Sequence, residues 1–176
     1  QDLPEQHWKP QELSNCLWAL ATLSIDEEWV REHLVHLSTE QVAKMEGQHL
    51  ANISWALAQS NEPETAIHDS VSSASRWFTA LAAEIRQRSI QQMEPKHLAN
   101  IVWAMSRLGL REQTVLQHLG DELSLPGALA PFAGRDLAML SRSFASLEVL
   151  HEQLFRSVAG EAKRSGLRSF SLQDLQ

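Results

Sequence analysis

The 176-residue sequence has no tyrosine, a single cysteine, and few residues that break regular backbone: 7 glycines and 6 prolines. The lone Cys16 excludes an internal disulfide framework and a cysteine-based zinc site. The scarcity of Gly and Pro argues against a turn-rich or linker-rich chain. Long apolar runs are also missing. No stretch approaches the roughly 18–20 residues that span a bilayer, so no membrane insertion is expected. Positive charge is short in the first half: residues 1–92 carry 6 Lys/Arg against 13 Asp/Glu, whereas residues 93–176 carry 9 of each. That acidity disfavours long-range attraction of polyanions, so any RNA contact needs local basic positions. Gly-rich phosphate loops, GxSxG and HExxH are absent. A non-enzyme without metal, cofactor or small-molecule substrate is expected.

What is present is a repeat. Four segments align without gaps: LSNCLWALATL from Leu13, LANISWALAQS from Leu50, LANIVWAMSRL from Leu98 and LAMLSRSFASL from Leu137. A bulky apolar residue precedes each leucine by five positions: Trp8, Met45, Met93 and Phe132. A second register agrees. Trp29, Trp77, Leu116 and Leu154 each lie 16 residues before Met45, Met93, Phe132 and Phe170. The period is about 38, with a longer second unit whose insertion, residues 60–75, is polar, contains Pro63, and reads as a loop. Units start near 10, 47, 95 and 134, and a truncated one starts at 173. A longer parent chain is therefore expected.

Each unit reads as two helices. The LxNxxWAxA segments lack Gly and Pro and are rich in Leu, Ala and Met. Pro10 and Pro95 stand where a first turn would begin, a position whose amide is unpaired anyway. Second helices are expected near Trp29, Trp77, Leu116 and Leu154. One hairpin per 38 residues cannot bury its own face, and stacking the hairpins does. The expected fold is all-α, a right-handed α-solenoid of stacked helical hairpins over residues 1–176.

On a wheel of 100° per residue, each leucine and the positions 3, 7 and 10 later share one face. These are Leu13, Cys16, Leu20 and Leu23, then Leu50, Ile53, Leu57 and Ser60, then Leu98, Ile101, Met105 and Leu108, and last Leu137, Leu140, Phe144 and Leu147. They are the expected intra-hairpin core, which makes Cys16 a core residue rather than a nucleophile. Small flanking residues, among them Ser14, Ala51, Ala99 and Ser143, would let neighbouring helices approach closely. Leu13, Trp18, Leu50, Trp55, Leu98, Trp103 and Leu137 are the structural anchors of the repeat.

A second stripe faces away from that core. It holds Gln11, Asn15, Trp18 and Thr22, then Gln48, Asn52, Trp55 and Gln59, then Lys96, Asn100, Trp103 and Arg107, then Arg135, Met139, Arg142 and Ser146. The tryptophans either pack between repeats or form a stacking platform for bases. The asparagines either cross-link adjacent units or read a base edge. Arg142 replaces tryptophan in the fourth unit, where a guanidinium can stack, pair, or simply be solvated. The candidate RNA-binding residues are Asn52, Gln59, Lys96, Asn100, Arg107, Arg135 and Arg142. His33 and His36 have no third ligand and read as a surface pair. His49 and His97 occupy a position held by Glu12 and Asp136 in the other units, which argues for a helix-start role.

The pattern P-x-x-L-x-N-x-x-W-A-x-A-x-L at this period resembles the octotricopeptide repeats of algal organelles. It is similar too to the heptatricopeptide-type repeats of apicomplexan and dinoflagellate organelle proteins. Leu13, Asn15, Trp18, Ala19 and Ala21 carry it in the first unit, Leu50, Asn52, Trp55, Ala56 and Ala58 in the second, and Leu98, Asn100, Trp103 and Ala104 in the third. The fourth departs, with Met139, Arg142 and Ser143 in place of Asn, Trp and Ala. The resemblance implies a plastid (chloroplast) or mitochondrion and binding of RNA, an organellar transcript or ribosomal RNA, for maturation, translation or ribosome assembly. The alternative is a structural scaffold held by protein subunits of a large organellar assembly.

Overall fold

The computed structural model describes residues 8–25, 27–59 and 72–165. Among them the chain is all-α, with eight α-helices, two short 3-10 turns and no strand. The helices are α1 (Pro10–Thr22), α2 (Glu28–Glu40), α3 (Gly47–Gln59), α4 (Ser73–Ile85), α5 (Pro95–Arg107), α6 (Gln113–Leu123), α7 (Gly134–Ser146) and α8 (Glu152–Arg164). The 3-10 turns, Val42–Lys44 and Ile90–Gln92, lead into α3 and α5. The four repeated segments are α1, α3, α5 and α7. Among the described residues no helix is long and apolar enough to cross a membrane.

Helix starts follow the sequence closely in this row. Pro10 and Pro95 are the first residues of α1 and α5, where no amide is needed. Glu12 accepts the Lys9 amide at 2.9 Å, and His49 accepts the Glu46 amide at 3.2 Å through Nδ1. Both side chains reach back to cover an orphan donor, the acceptor half of a capping box. The ends match as well. Ser24, Gly109 and Glu148 each stand eleven after a repeat leucine and adopt φ of 53°, 66° and 56°. The next amide then bonds back into the helix: Ile25 to Leu20, Leu110 to Met105, Val149 to Phe144. Three helices thus end in the same left-handed cap, although only one of the three residues is the glycine that this conformation favours.

α1 packs on α3, α3 on α5 and α5 on α7. Backbones come close because the contact faces are small: Ser14, Ala51, Ala58, Ala99, Ala104 and Ser143 are buried. Beneath them the repeat leucines Leu13, Leu50, Leu98 and Leu137 are at most 2% exposed. Fully burying one such side chain contributes about 1.5–3 kcal/mol. The other helices are less uniform. α2 packs on α4 and α6 on α8, and individual contacts hold them. Trp77 on α4 is completely buried, and its indole N–H donates to Ser54 Oγ on α3 at 3.1 Å. His151, the N-cap of α8, lies over Gly120 of α6. It accepts the Leu154 amide through Nδ1 and meets Asp121 through Nε2 at 3.0 Å.

Several expectations change. Leu23, expected in the core, is 67% exposed, and Cys16 and Leu20 are half-buried. The reason is positional: α1 and α2 have packed neighbours on the α3 and α4 side, and no described helix covers the opposite side. α4 begins at Ser73, four residues before Trp77, because Ser72 Oγ accepts the Ser75 amide and caps it. The end of the segment read as loop 60–75 is therefore helix. α6 likewise begins three residues before Leu116. Ser60, the rest of that loop through residue 71, and the truncated unit at 173 lie outside the described residues.

Candidate functional site

The stripe comes to the surface along α1, α3, α5 and α7, because the leucine face of these helices is turned inward. Gln11, Asn15, Thr22, Gln48, Gln59, Lys96, Arg107, Arg135, Arg142 and Ser146 are exposed, and Asn52, Asn100 and Met139 are half-buried. The tryptophans grade along the row. Trp18 is 46% exposed, whereas Trp55 and Trp103 are half-buried against the core. The Trp18 and Trp55 rings lie 6.3 Å apart, tilted by 31°, so this pair bridges α1 and α3. Each of these indoles is only partly covered.

Charge divides the stripe into two halves. The α1–α3 half presents only amides, a hydroxyl and indoles. The α5–α7 half presents four cations, and they are not equivalent. Lys96 Nζ lies 2.9 Å from Glu94 Oε2, and this hydrogen bond and the lysine charge lower the pKa of the Glu94 carboxyl. An exposed pair of this kind is weak, but it occupies the ammonium. Arg107, Arg135 and Arg142 have no ion-pair or hydrogen-bond partner among the described residues. Other guanidiniums do: Arg88 holds Glu84, Arg111 holds Glu148, Arg156 holds Glu152 and Arg164 holds Glu161. Arg135 stands in the first turn of α7, where the helix dipole opposes a cation. Helix stability therefore does not explain it. Arg107 ends α5, where the dipole favours it.

His97 occupies the His49 position but is buried, 7% exposed. Loss of water lowers its pKa, opposed in part by Glu94 and reinforced by Lys96 and His49. The imidazole is thus held toward its neutral form beside the base of the stripe. No group of three His, Cys, Asp or Glu side chains among the described residues could hold a metal ion.

Sequence reasoning missed two features. One is an apolar groove between α1 and α2, with Trp8, Leu20, Leu23, Trp29 and Val30 in its walls. Leu108 and Leu147 in the Leu23 register and Trp77, Leu116 and Leu154 in the Trp29 register are buried, so position in the row rather than residue type exposes Leu23 and Trp29. The other is Arg88, whose repeat position holds Glu40, Gly127 and Ser165 in the other units. It reaches across to the 3-10 turn before α3 and donates to the carbonyls of Val42, Ala43 and Met45. No family model matches the chain, and none of the curated proteins compared with it matches it either.

Proposed function

We propose that the chain is a non-catalytic, helical-repeat RNA-binding module acting in plastid or mitochondrial gene expression. Its hairpins are read as a right-handed α-solenoid of about 38 residues per unit, and RNA lies along the α5–α7 half of the stripe. The observation that carries this is that three exposed guanidiniums of the stripe, Arg107, Arg135 and Arg142, have no partners among the described residues, in a stripe that also holds Trp103 and Asn100. Phosphates would meet the guanidiniums, which suit planar, bidentate contact. Lys96 and Arg135 stand at the starts of α5 and α7, where helix amides also favour anions. Asn100 would read base edges, joined by Asn52 and Gln59 of the adjoining α3 where the RNA overlaps it, because an amide both donates and accepts. The location in an organelle rests on the resemblance of the repeat motif.

The test replaces Lys96, Arg107, Arg135 and Arg142 by Gln together and measures binding to a single-stranded RNA pool across a salt series. Affinity should fall, and the salt slope should drop by about 0.7 for each phosphate no longer neutralised. An unchanged affinity and slope would remove this surface from RNA binding. The scaffold reading has one observation in its favour. The α1–α2 groove leaves Leu23 67% and Trp29 65% exposed, and apolar surface of this kind marks protein contacts. Retained assembly of the quadruple variant into a large complex, with no RNA affinity in the parent chain, would select that reading.

A further inference from the structure

The Arg88 contact invites comparison with its counterpart one unit later. Arg88 stands eleven residues after Trp77 and five before Met93. Its Nη2 donates to the Ala43 carbonyl at 2.9 Å and the Val42 carbonyl at 3.2 Å, its Nη1 donates to the Met45 carbonyl, and its Nε pairs with Glu84. A 3-10 turn offers such acceptors naturally. The Val42 carbonyl already receives the Met45 amide at 3.1 Å, and its second lone pair is free for the guanidinium.

The turn before α5 is built the same way. The Ile90 carbonyl receives the Met93 amide at 3.0 Å, so Ile90, Gln91 and Met93 repeat Val42, Ala43 and Met45. The residue eleven after Leu116 and five before Phe132 is Gly127. It has φ of 82°, and nothing lies within 4 Å of where a Cβ would stand. No arginine of the described residues reaches this second turn. Instead there is a cleft of about 340 Å³, walled by Ile90, Gln91, Met93, Glu122, Gly127 and Phe132. Its size suits a whole side chain. Glu122 stands one residue short of the Glu84 register and is the only charged residue of the cleft wall among the described residues. Phe132, an aromatic residue of the kind that attracts planar cations, also lines the cleft.

We propose that this cleft is a guanidinium site that takes an arginine side chain presented by another protein chain. The turn carbonyls would accept its N–H groups and Glu122 would balance its charge, as Glu84 does for Arg88. None of the stripe residues lines the cleft, so the proposal is independent of RNA binding.

The test is a titration of the 176-residue chain, isotopically labelled, with N-acetyl-arginine amide, followed by NMR. Saturable shifts are expected at Gln91, Met93 and Gly127, with binding clearly weaker for N-acetyl-lysine amide, whose ammonium cannot span several carbonyls at once. Glu122→Gln should weaken binding roughly fivefold, as for a partly exposed ion pair. Free L-arginine should bind less well than the blocked compound, since a chain-borne arginine carries no free termini. Tighter binding of free L-arginine would overturn the protein-borne source. Absent shifts at these amides, or equal shifts with the lysine compound, would overturn the site itself. As a second arm, Arg88→Ala empties the first cradle and should add a site with shifts at Ala43 and Met45. A folded Arg88→Ala chain without that new site would overturn the cradle chemistry.

Discussion

The two rows of helices are held together differently. In the row α1, α3, α5, α7 the same small and leucine positions recur, and backbones approach along one periodic face. The second helices are held by individual contacts, some of them reaching the first row or the turn before it: a buried indole on Ser54 of α3, an imidazole seated over Gly120, a guanidinium spanning three carbonyls of a 3-10 turn. α4 and α6 meet only sparsely, and an Arg86–Thr114 hydrogen bond of 3.3 Å joins them. The difference shows where the repeat tolerates change. A periodic face needs volume and spacing at each position, whereas an individual contact needs one particular partner.

The largest expected effect is in the individual contacts. Trp77→Ala removes a fully buried indole and should cost about 3–5 kcal/mol, measured by urea denaturation. Trp55→Ala, whose ring is half-buried, should cost less, and an equal cost would erase the distinction between buried anchor and surface platform. Gly120→Ala should follow. A Cβ there would lie 2.3 Å from His151 Cδ2, so the imidazole must leave its place. Overpacking and loss of the α8 cap together should cost about 3 kcal/mol, and a parent-like melting temperature would contradict the seating of His151.

The periodic row is tested by volume. Ala99→Leu, at a fully buried site, should cost about 1–3 kcal/mol by overpacking. Ala83→Leu on α4, a half-buried site, should cost less; the reverse order would break the comparison. Ser24→Gly relieves a left-handed residue and should stabilise by about 1 kcal/mol, visible as a higher denaturation midpoint. It would bring the end of α1 to the residue type already used after α5.

The smallest effect is on pH. The folded-state pKa of His97 lies below its ordinary value, through burial. The unfolded chain therefore binds the proton first, and folding stability is full above the unfolded pKa of about 6.5. It declines as pH falls from there toward the folded pKa. His97→Gln should flatten that part of the profile in denaturation midpoints taken from about pH 7.5 to about pH 5, a window that brackets the ordinary imidazole pKa. An unchanged profile would show that His97 is not a source of the acid sensitivity.

The legible part of this molecule was its periodic part. The recurring register of Leu13, Leu50, Leu98 and Leu137 carries the face that is buried. It therefore also carries the opposite face, where Lys96, Arg107, Arg135 and Arg142 come to the surface. Pro10, Pro95, Glu12 and His49 announce helix starts because capping is a local interaction within a few residues. Leu23 breaks the pattern because burial depends on what lies beside a helix, which no residue states about itself.

The amino-acid sequence by itself determined the helical periodicity, the starts of the repeated helices and the polarity of their exposed stripe. Each of these arises from interactions within one or two turns. Only the tertiary structure decided that Arg88 would reach a turn more than forty residues earlier, that His151 would lie over Gly120, and that the matching cradle at Gly127 would stand open. Those contacts join residues distant in the chain. Their energies depend on the geometry of packed helices, which the local pattern does not contain.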